Sequence, residues 1–292
     1  MLMRKLLLQL DSSRLPSVFD QVVAYDAGAD VVMSYGGVAE ADVRDLIYGC
    51  LFTRGPKDLH NTAVWIGGSN MAAGEQLLAV AVDVMFPPFR VSIMLDSNGS
   101  NTTAVAAVVK IEQTLGDLKG KKAVVLGGTG PVGQRVAGLL AKDGALVTLS
   151  SRRAEQAEKA RQFVNARFNV RIDCATYADA SQLAQILDGA TIMLNAGAAG
   201  IQMVAKAAWT KHKTLKVAVD LNAVPPLGLE GVELNDAGVV RDGVTTFGAF
   251  GVGNFKTKLH KECIGRLFTR NDLVLDAEAI ADVARELVAP KS

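Results

Sequence analysis

The chain alternates short apolar runs with longer stretches in which apolar residues recur every three or four positions. In the first hundred residues, Lys5–Leu10, Asp30–Tyr35, Thr62–Gly68 and Arg90–Leu95 read as strands. Between them, Pro16–Gly28 reads as a helix with Pro16 in its first turn and Val18, Val22 and Val23 on one side. Glu40–Gly49 and Asn70–Phe86 are predicted as further helices, the second ending before Pro87–Pro88. Strands alternating with helices at this spacing predict parallel βαβ units. A polar loop, Asp96–Asn101, leads into a helix running to Leu115, for which Asn101 or Thr102 is the expected cap.

After "GDLKGKK" a second alternation begins with "AVVLGG". It continues as a helix from Pro131, a strand at Ala145–Ser150, a helix from Ala154 and a strand at Val170–Ala175. Then come a helix at Ser181–Leu187, a strand at Thr191–Gly197, a helix at Val204–Trp209 and a strand at Lys216–Asn222. This is the doubly wound Rossmann plan. Two helical patterns, Asn254–Phe268 and Ala277–Val288, close the chain. The expected organisation is an N-terminal α/β domain (1–101), a Rossmann domain (102–253) and C-terminal helices (254–292) that pack back on the first domain.

Composition narrows the class. The 292 residues are 49% hydrophobic and 21% charged with net charge +1, so nothing favours nucleic acid or an anionic membrane as partner. A mean hydropathy of +0.22 fits an Ala/Val/Leu-rich core or apolar surface covered between subunits. Cys50, Cys174 and Cys263 are far apart and form no CxxC, which points to a reducing compartment, here the cytoplasm. The apolar run in "MLMRKLLLQLDSS" reads as a first strand rather than a leader, and no run approaches a membrane span.

"GGTGPVG" holds a GxGxxG made of Gly128, Thr129, Gly130, Pro131, Val132 and Gly133, behind a strand and ahead of a helix. In that context Gly128 makes the tight turn, Gly130 admits a pyrophosphate and Gly133 lets the helix sit close on the sheet. Pro131 suits a first helical turn, and the free N–H groups there attract phosphate. Arg152 stands 24 residues after Gly128 (152 − 128), near the position that reads the adenosine ribose. A carboxylate there would hold the ribose hydroxyls and repel a 2′-phosphate. Ser151, Arg152 and Arg153 instead offer hydroxyl and guanidinium donors, which selects NADP over NAD. Ala196 and Gly197 at one later strand end are expected along the nicotinamide ribose, and Asn222 at the next is expected on the carboxamide.

Familiar proton-transfer sets are missing. None of Tyr25, Tyr35, Tyr48 and Tyr177 has Lys four residues on, and His60, His212 and His260 have no metal spacing. A nicotinamide enzyme of this kind suits a reaction that moves a hydride without an O–H or N–H proton, such as hydride loss from a methylene carbon between two nitrogens. That chemistry asks for positioning and dryness.

The stretches "PSVFDQVVAYDAGAD", "MAAGEQ", "PPFRVSIMLDSNGSNTTA", "LKGKKAVVLGGTGPVG", "NAVPPLG" and "FGAFGVGNFKTKLHKECI" span nearly the whole chain. Through them the sequence resembles the NADP-dependent methylene-tetrahydromethanopterin dehydrogenases of methylotrophic bacteria. The resemblance implies a pterin-binding N-terminal domain, an NADP-binding Rossmann domain, an active site between them and a homotrimer or hexamer. It implies oxidation of methylene-tetrahydromethanopterin, with methylene-tetrahydrofolate as a further substrate. It also implies that Lys256 matters for hydride transfer, here as an orienting hydrogen-bond donor, while the glycines of "GAFGVGN" let substrate approach. Asp20 is a candidate partner for pterin N–H groups, and Asn98 and Asn101 are candidate substrate contacts. The rival readings are a shikimate-type dehydrogenase and a non-catalytic NADP-binding protein.

Overall fold

The computed structural model describes residues 3–290. The chain folds into two compact units, one built from the segment up to Thr102 together with the segment from Thr257 onward, the other from Thr103–Lys256.

The first unit opens with β1 (Leu6–Asp11), α1 (Val18–Asp26), β2 (Val31–Gly36), α2 (Glu40–Leu51), β3 (Thr62–Gly67), α3 (Met71–Asp83) and β4 (Ser92–Leu95). All six residues of β3 and all four of β4 are buried, which suits apolar strands covered on both faces. Helix starts are set by short polar side chains: Ser17 accepts from Asp20 N–H ahead of α1, and Asn70 from Ala73 N–H ahead of α3. Each such cap is worth about 1 kcal/mol.

A long helix, α4 (Ser100–Leu115), leads into the second unit. There follow β5 (Lys122–Leu126), α5 (Pro131–Lys142), β6 (Leu146–Ser151), α6 (Ala154–Phe168), β7 (Asp173–Thr176), α7 (Ala180–Leu187), β8 (Ile192–Asn195), α8 (Lys206–Trp209) and β9 (Val217–Asp220). A hairpin of β10 (Ala237–Arg241) and β11 (Val244–Phe247) precedes α9 (Ala249–Arg266). The chain then adds β12 (Val274–Leu275) and α10 (Ala277–Val288).

Strand order in the first unit is β12-β4-β3-β1-β2, and every pair is parallel. The order in the second is β10-β11-β9-β8-β5-β6-β7, parallel except for the β10–β11 hairpin. In each sheet the chain first builds outward on one side and then crosses back, so β1/β3 and β5/β8 are topological switch points. In open α/β sheets the crevice for a ligand lies beyond the carboxyl ends of the strands at such points.

Three observed elements go beyond the sequence reading. The apolar pattern predicts no element between Asn222 and Asn254, yet β10 and β11 form there. β10 (Ala-Gly-Val-Val-Arg) is a short run interrupted by Gly238, and its first four residues are exposed, so burial does not mark it as a core strand. Its signal is Asp242–Gly243, both at positive φ (49° and 79°), the pair that a tight hairpin turn demands. β12 is two residues long and adds the C-terminal segment to the first sheet beside β4. β7 begins at Asp173, not Val170.

Candidate functional site

In the second unit, β5 runs straight into the glycine turn. Gly127 takes φ +60°, and a Cβ on it would lie 2.4 Å from the Gly197 Cα, so the turn and the end of β8 touch backbone to backbone. A Cβ on Gly133 would lie 2.5 Å from the Gly128 Cα, so α5 sits directly on the turn. Around a Cβ on Gly130 nothing lies within 4 Å. No side chain caps α5, whose first residue is Pro131, and the Gln134 amide instead donates to Thr129 O at 2.9 Å. The result is a rigid loop with an open helix N-terminus, the local geometry that attracts phosphate. Thr129 and Val132 belong to this same turn.

β6 ends beside it: Gly128 N–H donates to Ser150 O at 3.1 Å. Ser151 is buried and accepts from Arg153 N–H at 3.3 Å, which turns the chain into α6. Arg152 and Arg153 are exposed, and among the described residues no carboxylate forms an ion pair with either. Tyr177, just past β7, is Arg152's electrostatic neighbour. Burial holds its phenol above the ordinary value and the Arg152 charge acts the other way.

At the β8 and β9 ends lies a buried polar network. The Asn195 amide donates to Asp220 Oδ1 at 2.8 Å, and Asn195 Oδ1 accepts from Gly197 N–H at 3.0 Å. Asp220 also accepts from Asn222 N–H at 3.1 Å and Leu229 N–H at 2.8 Å. Ala196 N–H donates to Leu126 O at 2.9 Å. Asn222 is 4% exposed. Its Oδ1 accepts from Gly200 and Val224 N–H, and its Nδ2 donates to Pro226 O. Those bonds set the Leu221–Gly228 loop and leave one Nδ2 hydrogen for another acceptor. Sequence reasoning misses Asn195 and Asp220, because an Asn and an Asp at strand ends look like ordinary turn residues.

The crevice of the first unit carries different groups. Gln9 and Asp11 are buried on β1 at its carboxyl half. Asp11 accepts from Ser13 N–H at 2.7 Å and Ser17 N–H at 3.1 Å, folding the loop that starts α1. Ser34 donates to Gln9 Oε1 at 2.7 Å. A Cβ on Gly67 would lie 3.6 Å from Asp11 Oδ2, 3.6 Å from Asp20 Oδ2 and 3.9 Å from Gln9 Nε2. The sequence-predicted Asp20 is thus brought beside two buried polar residues, which strand alternation alone would have marked as misplaced in a core strand.

In the loop after β4, Asn98 is exposed at φ +56°. Asn101 is buried and donates to Leu95 O at 2.6 Å. The expected cap of α4 is corrected here. The helix already includes Asn101 and Thr102, and Asp96 accepts from both of their N–H groups at 2.9 and 3.0 Å and from the Thr102 hydroxyl at 2.6 Å. A buried carboxylate satisfies two orphan donors at once, which neither Asn101 nor Thr102 does from inside the first turn.

Lys256 lies half-buried in α9. That helix starts at Ala249, five residues ahead of the predicted start, because glycines that usually disfavour helix are needed for packing. A Cβ on Gly248 would lie 1.9 Å from Glu233 O and one on Gly251 1.8 Å from Asp236 O. Those two glycines therefore admit the chain's own backbone, and only Gly253 of the set has open space around it. Gly248 N–H donates to Asp236 O and Phe250 N–H to Leu234 O, anchoring the helix start. Asp236 itself takes a bidentate Arg241 pair at 2.7 Å and the Thr246 hydroxyl at 2.7 Å. Burial pushes its carboxyl up, but Arg241, the Glu233 N–H and Thr246 outweigh this and hold it below the usual range.

Among the described residues no group of His, Cys, Asp and Glu is placed to hold a metal, and no helix is long and apolar enough to cross a membrane.

Comparison with known proteins places these features in context. The profile of the family described as "Methylene-tetrahydromethanopterin dehydrogenase, N-terminal" matches residues 18–98. The chain is 45% identical over 285 residues to "Bifunctional protein MdtA" of Methylorubrum extorquens, covering 97% of this chain and 99% of that one. It is 32% identical over 263 residues to the "NAD(P)-dependent methylenetetrahydromethanopterin dehydrogenase" of the same organism, covering 87% and 88%. Among solved structures it is similar in fold to quinate dehydrogenase from Corynebacterium glutamicum in complex with NAD. That match has TM-score 0.53 and 14% identity, and covers 96% of this chain and 98% of the other.

Proposed function

The chain belongs to the methylene-tetrahydromethanopterin dehydrogenase family, and on that premise we propose that it is an oxidoreductase of one-carbon metabolism. It moves a hydride from the methylene carbon of a tetrahydromethanopterin carrier to NADP, leaving the methenyl form and NADPH. The two nitrogens flanking that carbon stabilise the product cation, so no proton acceptor is required. The chain's task is to bind, orient and keep the reacting carbons dry.

The observation that carries this reading is the open glycine turn with the unpaired Arg152–Arg153 step beside it, in a chain of this family. Gly128–Gly133 and the α5 N-terminus hold the pyrophosphate. Ser151, Arg152 and Arg153 take the 2′-phosphate, and Ala196, Gly197 and the remaining Asn222 hydrogen face the nicotinamide half. NADP supplies the hydride-accepting carbon when bound. We assign the first unit to the pterin, with Asp20 and Asn98 as contacts and Asn101 fixing the strand end. We assign Lys256 to orienting the pterin. Tetrahydrofolate carriers are further substrates of the same site.

The active form is a homo-oligomer, a trimer or hexamer. α1 supports this: Val18, Phe19, Val22 and Tyr25 stand on one stripe and are all more than half exposed. The three free cysteines support a cytoplasmic location.

The test is NADPH formation by the purified protein with methylene-tetrahydromethanopterin and methylene-tetrahydrofolate, each with NADP and NAD. The methanopterin carrier with NADP is the fastest combination. Protein that binds NADPH but turns over neither carrier overturns the reading.

A further inference from the structure

The second unit holds a polar network that neither the glycine turn nor the arginine step explains. Asn195 and Asp220 are neighbours in register on β8 and β9. They are 0% and 1% exposed. Two such residues at the carboxyl ends of central strands are costly to bury unless every polar atom is used. Here the use is directional. Asp220 gathers three donors, two of them backbone N–H groups of the loop that follows β9, and the third is the Asn195 amide. Asn195 spends its remaining oxygen on the Gly197 N–H. Gly197 in turn touches Gly127 of the glycine turn, with only 2.4 Å between its Cα and a Cβ placed on Gly127. The Asn195 amide packs on the Gly228 backbone, filling the space a Cβ there would need (1.8 Å from its Nδ2).

We propose that Asn195 and Asp220 are positioning residues for the nicotinamide half of the cofactor, acting through the backbone at Gly197. This rests on the cofactor reading above. The chain from carboxylate to amide to backbone N–H sets how far the β8 loop stands from the glycine turn, and so the width of the crevice at the β5/β8 switch point. The arginine step lies on the other side of β5, at the end of β6. The relay therefore acts on one end of the dinucleotide and leaves the other alone.

The experiment measures binding of NADP and of adenosine 2′,5′-bisphosphate, which lacks the nicotinamide half, to full-length protein and to Asn195→Leu. Leucine keeps the branching at Cγ, adds bulk and removes both bonds. NADP binding weakens on the order of tenfold while the bisphosphate keeps its affinity, since the Gly197 N–H loses its acceptor, Asp220 loses one of its three donors, and both lie on the nicotinamide side. Equal weakening of both ligands, as from general loosening, overturns the proposal, and so does weakening of neither. If Asn195→Leu does not fold, Asp220→Asn serves. It retains an acceptor for Asn195 but turns an NH₂ toward Leu229 N–H, and the same selective loss, about threefold, is expected from one impaired bond. Wild-type protein that binds neither ligand overturns the cofactor reading and the relay together, whereas wild-type binding with an unselective variant overturns the relay alone.

Discussion

Two sheets in this protein use the same topological device with opposite chemistry. Along the carboxyl ends of β5 and β6 the chain presents backbone N–H groups, an uncapped helix start and two guanidinium groups, all donors or positive charge. At the β1/β3 switch point it presents Asp11, Asp20 and the Gln9 side chain around Gly67, two carboxylates and an amide. Under the proposed function, the first set would receive an anion and the second a group rich in N–H. Strand order places a crevice in each sheet, but the side chains at the strand ends decide what enters it.

The comparison breaks most visibly at Arg152. In Arg152→Asp, kcat/KM with NADP falls on the order of a hundredfold and with NAD by less than about threefold, the loss of charge-assisted bonds to a 2′-phosphate. Steady-state kinetics with both cofactors checks this, and equal losses would remove the arginine step from the phosphate site.

A second variant separates carboxylates that face a ligand from carboxylates that only build. Asp236 in the second unit is consumed by Arg241, Thr246 and a backbone N–H. Asp236→Asn lowers stability by about 1–2 kcal/mol at neutral pH by weakening a partly exposed pair and the bonds from Thr246 and Glu233 N–H to a buried carboxylate. Because the folded carboxyl titrates below its ordinary value, its contribution is complete above the unfolded pKa of about 3.9 and disappears as pH falls through the folded one. Urea unfolding across this range should therefore bring variant and wild type together at low pH. A stability gap that stays constant with pH contradicts the assignment.

The smallest expected effect sharpens the other side. Asp20→Asn keeps shape and removes charge at the first crevice, raising KM for the methylene-pterin about tenfold through one lost charge-assisted bond. KM for NADP is expected to stay at the wild-type value. A rise in the NADP KM alone would place Asp20 on the wrong ligand.

Much of the alternation was legible because parallel strands covered on both faces read as continuous apolar runs, as in "TAVWIG" and "KAVVL". The glycine turn was legible because its spacing follows from sterics along one short segment. The β10–β11 hairpin was not, since its strands are only five and four residues long and β10 lies exposed at the sheet edge, without the buried run that marks a core strand. The early start of α9 was hidden too, because its glycines answer to carbonyls of Glu233 and Asp236 that only packing brings near.

Local order along the chain determined the βαβ repeat, the glycine turn with its arginine step, and through these the cofactor class. Tertiary structure alone decided which polar residues work together: Asp11 with Asp20 and Gln9, and Asn195 with Asp220. Those partners come from different strands and loops. Their pairing depends on strand order and register, which are set when apolar faces are buried and are not written in the spacing of any one segment.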